Sequence, residues 1–258
     1  MAFPSSEREV FPRNVLKEVI CQLRFPPILR IKTQAPSEFQ ELIRGRYPLY
    51  EEESPQDALP PDIADIVAGL RIRFAPADII HKFLLADRSR IITLSPGFLG
   101  LSESNYISRE KFLEQVEHAE REFRKEYTPA FYNRIGVRYK NVIDRTALDI
   151  PKKHWYELLS SQLLGELADP EIRDDVVKIL TKVELRIDDI PESRVRITHG
   201  LATDEKEHIV YVLDADFFTT TKIGESHDVS RIVATFSDLN GRFFRWAIAD
   251  ELKDVLRG

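Results

Sequence analysis

The sequence predicts an α+β fold made of two similar halves, each an antiparallel sheet packed with helices. Three observations carry this. First, a strand-like run containing apolar-Arg-aromatic occurs twice, as Glu18-Val19-Ile20-Cys21-Gln22-Leu23-Arg24-Phe25 and as Arg134-Ile135-Gly136-Val137-Arg138-Tyr139-Lys140-Asn141. Second, each copy opens a stretch of the same layout, strand-helix-meander-helix. Third, short strands come in runs flanked by helices, without regular βαβ alternation, which argues for antiparallel sheets. The expected halves are 1–130 and 131–258, packed as one compact body.

In the first half, residues 17–25 alternate, with Val19, Cys21, Leu23 and Phe25 on one face. Pro26-Pro27 ends that strand, because a tertiary amide cannot donate to a ladder. A helix is expected from Ser37 to about Arg46, with Ser37 as cap and Phe39, Leu42 and Ile43 as its apolar side. Residues 47–61 hold Glu51-Glu52-Glu53 and three prolines, and read as an acidic surface loop. Strands follow at 70–75, 80–87, 90–95 and 98–102, with Asp87-Arg88-Ser89 as a hairpin turn. A helix over 109–126 buries Phe112, Val116, Ala119 and Phe123, and Thr128-Pro129 closes it.

The second half opens with a strand at 133–143. A helix at 152–167 presents Trp155, Leu158, Leu159 and Leu163, and a shorter helix is expected over 170–180. Strands read at 182–188, 193–202 and 208–216. A long helical pattern covers 228–256, lined by Ile232, Phe236, Leu239, Phe243 and Trp246. Gly241 inside it costs about 1 kcal/mol relative to alanine, which marks a place for a kink or break.

Composition narrows the function classes. The 258 residues carry a net charge of −6, which disfavours general affinity for nucleic acid or anionic membrane. Cys21 is the single cysteine, so no internal disulfide can form and a zinc site would rely on His, Asp and Glu. Met1 to Glu7 lacks the basic start and apolar core of a signal peptide, and no apolar run approaches the roughly 20 residues that span a bilayer. A cytoplasmic location is expected. No Walker loop, dinucleotide fingerprint, kinase set, nucleophile elbow or zinc-finger spacing is present, and no cofactor is expected.

Several segments resemble a family. Leu16-Lys17-Glu18-Val19-Ile20-Cys21-Gln22-Leu23-Arg24-Phe25-Pro26 resembles the opening signature of a sporadically distributed bacterial family of uncharacterised proteins of similar length. Phe39-Gln40-Glu41-Leu42-Ile43-Arg44 with Tyr47-Pro48 is similar to its first helix, and Tyr132 to Asn141 to its central strand. Leu213-Asp214-Ala215-Asp216-Phe217-Phe218 is similar to a late acidic strand, and Phe244 to Glu251 to the last helix. The likeness runs from about 14 to 252, with Arg109 standing where the family pattern has Trp. It implies a bacterial or archaeal source and a patchy distribution of the kind seen for mobile, defence or toxin–antitoxin loci. It brings no catalytic residues with it.

Candidate chemistry rests on two sets. Asp214 and Asp216 point to one side of a strand and make the oxygen pair a divalent cation takes; the plainer reading is a salt-bridged strand end. Arg134 and Arg138 share a face around Gly136, and Arg24 holds the equivalent place in the first half. Together they suit an anion, because guanidinium presents a planar donor fork. The plainer reading pairs them with carboxylates such as Asp214 or Asp216. Glu114, His118 and Glu122 share a helix face that reads as solvated, with Arg121 and Lys125 nearby. No other histidine pair has metal-ligand spacing, and Cys21 reads as buried packing.

These readings favour a non-catalytic interaction or regulatory protein with a protein partner, encoded nearby in an accessory locus. The alternative is a binder or processor of an anionic small molecule or nucleotide, with a cation held by the aspartates. Nucleic-acid binding is the least favoured.

Overall fold

The computed structural model describes residues 3–53, 79–204 and 207–258. It is a mixed α+β chain with a large antiparallel sheet. The expected strand at 70–75 and the end of the 47–61 loop lie outside the described residues. In chain order the elements are β1 (Leu16–Arg24), α1 (Leu29–Thr33), α2 (Ser37–Ile43), β2 (Leu49–Glu53), β3 (Ile80–Leu84), β4 (Arg90–Ser95), β5 (Phe98–Glu103) and α3 (Arg109–Tyr127). After these come β6 (Arg134–Ile143), α4 (Trp155–Leu158), α5 (Ser161–Leu164), a 3-10 turn (Gly165–Ala168), β7 (Ile179–Ile187), β8 (Ser193–Thr203), β9 (Ile209–Thr219), α6 (Ser226–Ala247) and α7 (Asp250–Arg257). Hydrogen bonding orders the strands β2-β3-β4-β5-β1-β6-β9-β8-β7.

The chain divides into two compact units, one from 1–20, 136–221 and 231–258, the other from 21–135 and 222–230. In the second of these, β2 to β5 form an antiparallel meander with registers such as Phe83↔Ile92 and Ile92↔Leu101. The core is aromatic. Phe25 stacks on Phe123 at 4.8 Å, and Phe39 meets Phe83 and Phe123 edge-on. Helix α3 supplies the expected stripe, with Phe112, Val116, Ala119 and Phe123 all buried. Ser108 caps its start by accepting from the Lys111 N–H, and Thr128 ends it in the left-handed region.

In the unit that holds both termini, β7, β8 and β9 form a second meander, with Ile197 opposite both Val183 and Ala215. One sheet face is apolar and covered. Phe217 lies 6.2 Å from Phe236 of α6, and the Tyr139 hydroxyl donates to Ser237 at 2.7 Å. Phe3 completes the cluster against Phe217, Phe243 and Trp246. The other face is polar, and that alternation marks an antiparallel sheet open on one side.

The helical expectation over 152–167 resolves into two single turns and a 3-10 turn. Leu159 between them is extended and bridges Ile248, so a tertiary pairing interrupts the helix. Residues 170–178 make turns and lead into β7, with no helix. The long C-terminal pattern is continuous through Gly241 and breaks at Ile248-Ala249, where that same bridge forms.

Candidate functional site

The polar face of β6-β9-β8-β7 is where most of the sequence-selected residues come together. Alternation along each strand sets what it shows. β6 contributes Arg138 and Lys140; β9 contributes Asp214 and Asp216. β8 contributes Arg194 and Arg196, and β7 contributes Lys182, Glu184 and Arg186. The register places Asp216 opposite Arg196, and Arg196 in turn opposite Glu184. Charges of opposite sign across neighbouring strands support such a sheet.

Arg138 grips Asp214 with two hydrogen bonds, Nε to Oδ1 at 2.7 Å and Nη2 to Oδ2 at 2.5 Å. The Asp214 hydrogen bonds hold the Arg138 guanidinium above its ordinary pKa, against the opposing pull of burial. Asp216 and Glu18 add to the negative potential there. Glu184 accepts from Arg194 at 2.9 Å and from Arg196 at 3.0 Å and 3.2 Å, and those bonds hold its carboxyl below its ordinary range. The Arg196 guanidinium also lies over the Phe218 ring, 5.5 Å from its centroid. Arg138, Arg194 and Arg196 keep about half of their side-chain surface exposed, at 50%, 55% and 54%. They are ordered donors that still face outward.

Arg24 and Arg134 are brought together at Gln22. Arg24 Nε donates to the Gln22 side-chain oxygen at 3.0 Å, and Arg134 Nη1 donates to the same oxygen at 3.2 Å. Two guanidinium groups thus converge on one neutral acceptor. Asp214 already spends both oxygens on Arg138, so a cation at Asp214 would have to compete with a guanidinium.

Other sequence candidates have structural partners. Cys21 is buried, and burial pushes its thiol up to about 12. His199 is buried with Nδ1 2.7 Å from the Tyr211 hydroxyl, and His81 Nδ1 lies 2.8 Å from that of Tyr50. On α3, Glu122 is buried rather than solvated, and it pairs with Lys125 at 2.7 Å and Arg121 at 3.2 Å.

Asp144, Asp204 and His208 form a group that sequence reading missed. One ligand atom from each falls within 4.8 Å of the others, a set that could hold a metal ion. His208 Nδ1 lies 3.4 Å from Asp144, whose other oxygen accepts from the Thr146 and Ala147 N–H groups. Burial raises the Asp144 pKa, but these hydrogen bonds outweigh it and leave the carboxyl below its ordinary range. The i,i+4 spacing of Asp204 and His208 across a hairpin was the available signal; Asp144 arrives from a distant strand end.

No family model, curated protein or solved structure matches this chain.

Proposed function

We propose that this chain is a non-catalytic interaction or regulatory protein of a bacterial accessory locus, of defence or toxin–antitoxin type. It acts in the cytoplasm on a protein partner encoded nearby, and the open charged face of β6-β9-β8-β7 is the surface that partner reads. The observation that carries this is the composition and anchoring of that face. It displays Arg138, Lys140, Lys182, Arg186, Arg194 and Arg196 against Glu184, Asp214 and Asp216, on a chain whose net charge is −6. A basic patch on an acidic protein selects an acidic partner surface. Three of its arginines are held by carboxylates while half exposed, which lowers the entropy lost on docking.

Family membership and internal duplication belong to the same proposal. The likeness from about 14 to 252 supports the first. The meanders β3-β4-β5 and β7-β8-β9, followed by the long helices α3 and α6, support the second. On location, no helix among the described residues is long and apolar enough to cross a membrane.

The test is a tagged pull-down from the native host at moderate salt, with mass spectrometry of proteins and small molecules. One stoichiometric acidic protein, encoded beside this chain, is the expected result. Recovery of the bait with a small molecule or metal and no protein counts against it.

A second reading, a binder or processor of an anionic small molecule or nucleotide with a cation at Asp214 and Asp216, is favoured by one observation. Arg24 and Arg134 both donate to the Gln22 side-chain oxygen, and two convergent guanidinium forks suit an anion. Titration with nucleotides and Mg²⁺ or Mn²⁺ against Arg24→Ala and Arg134→Ala separates the two readings.

A further inference from the structure

The unit that holds both termini also contains a cleft of about 110 Å³, lined by none of the arginines and aspartates that the sequence offers as ligand sites. Its polar wall comes from three places. Arg145 follows β6 and lies over the Trp155 ring, 4.3 Å from the centroid, while its Nη1 donates to the Lys153 carbonyl at 2.6 Å. Arg173 lies over the Tyr156 ring, also at 4.3 Å, and Tyr156 stacks on His154 at 5.3 Å. The apolar floor includes Leu167, Leu201 and Ile209.

These two arginines differ from those of the charged sheet face. Among the described residues neither Arg145 nor Arg173 forms an ion pair, and Arg173 Nε is buried with no hydrogen-bond partner. A buried donor without an acceptor is costly, and native proteins rarely leave one so. Aromatic rings occupy the flat faces of both guanidinium groups, which leaves their N–H edges as the binding groups. Asp174 is the one carboxylate in the wall, and its Oδ1 lies 3.4 Å from His154 Nδ1.

We propose that this cleft binds a phosphate group, free or at the end of a larger molecule, through Arg145, Arg173 and His154. The size fits one compact anion, since pockets for drug-sized ligands run to about 300–1,000 Å³. Two guanidinium forks and an imidazole offer more donors than a carboxylate's two oxygens use, and phosphate has four. Burial also pulls the Arg145 pKa down from its ordinary value, a strain that a bound anion relieves. This site is independent of the partner-binding face, so either proposal can fail alone.

The test is calorimetric titration of the full chain with inorganic phosphate at low ionic strength, with acetate and a phosphorylated sugar as comparison probes. Saturable phosphate binding with a Kd on the order of 1 mM or tighter is expected, with acetate at least about tenfold weaker. Arg173→Gln, which keeps a flat polar group over Tyr156, should weaken phosphate about tenfold or more. Arg145→Lys should do likewise through loss of the fork, which keeps the test alive if the first variant misfolds. Tighter binding of the phosphorylated sugar than of free phosphate would assign the terminal group of a larger ligand; equal or weaker binding would assign the free ion. No heat up to about 10 mM phosphate, or binding untouched in both variants, overturns the proposal.

Discussion

Arg138 and Asp214 form a bidentate pair in which the acid is far more buried than the base, at 14% against 50% of side-chain surface exposed. The consequences of removing each partner are therefore unequal. Arg138→Ala leaves a mostly enclosed carboxylate without its donor, whereas Asp214→Ala leaves an arginine that water can reach. We expect Arg138→Ala to cost about 2 kcal/mol and Asp214→Ala about 1 kcal/mol, with a coupling of about 1 kcal/mol in the double-mutant cycle. Urea unfolding of the four proteins measures this. Equal losses with no coupling would show that the pair braces nothing.

The buried histidines set an acid limit. Burial holds the imidazoles of His81 and His199 below their ordinary pKa. For a base whose folded pKa is depressed, the unfolded chain binds protons that the fold refuses. Stability is thus full above about pH 6.5 and is lost as the pH falls from there toward the folded values. Melting curves between about pH 7.5 and 5.5 should show this fall, and His199→Gln should flatten it. An unchanged slope in the variant would remove His199 from the account.

Cys21 should be inert in the folded protein. Its thiol is 2% exposed and pushed up to about 12, chiefly by burial and despite the nearby Arg134 charge. Labelling by a thiol reagent at neutral pH should run at least about a hundredfold slower in buffer than in urea. Fast labelling under native conditions would mean that β1 opens locally.

Gly200 is a backbone requirement of the β7–β8 pairing. Its φ is +153°, and a Cβ there would sit 2.0 Å from the Ile179 carbonyl oxygen. Gly200→Ala must push the start of β7 away from β8, at a loss on the order of 3 kcal/mol. A denaturant midpoint within error of wild type would contradict the geometry.

The fold was readable where a segment's own periodicity decides its structure. The alternation of β1, the stripe of α3 and the strands β3 to β5 and β7 to β9 needed no distant partner to be seen. Leu49–Glu53 reads as loop because Glu51 and Glu53 look unpackable; in the structure they meet Arg88 at 2.7 Å and Lys82 at 2.5 Å, from the neighbouring hairpin. Helix α1 is short and buries only Ile31, too little to leave a pattern. Gly241 does not break α6; the Arg245 guanidinium lies over it, so close that a Cβ would be 3.1 Å away. The break falls instead where Ile248 pairs with Leu159. The Arg138–Asp214 pairing was legible, since both lie on one strand parity and carry opposite charge. The Arg145–Arg173 cleft was not, because it depends on aromatic rings delivered by a helical turn whose position only tertiary pairing fixes.

The most direct test of the central claim compares wild type with an Arg194→Glu/Arg196→Glu variant in one pull-down from the native host, after both have been shown to melt alike. The account predicts that a single acidic protein is retained by the wild type, is lost from the variant, and elutes from the wild type as salt rises. Equal retention by both proteins would contradict the assignment of that sheet face as the partner surface.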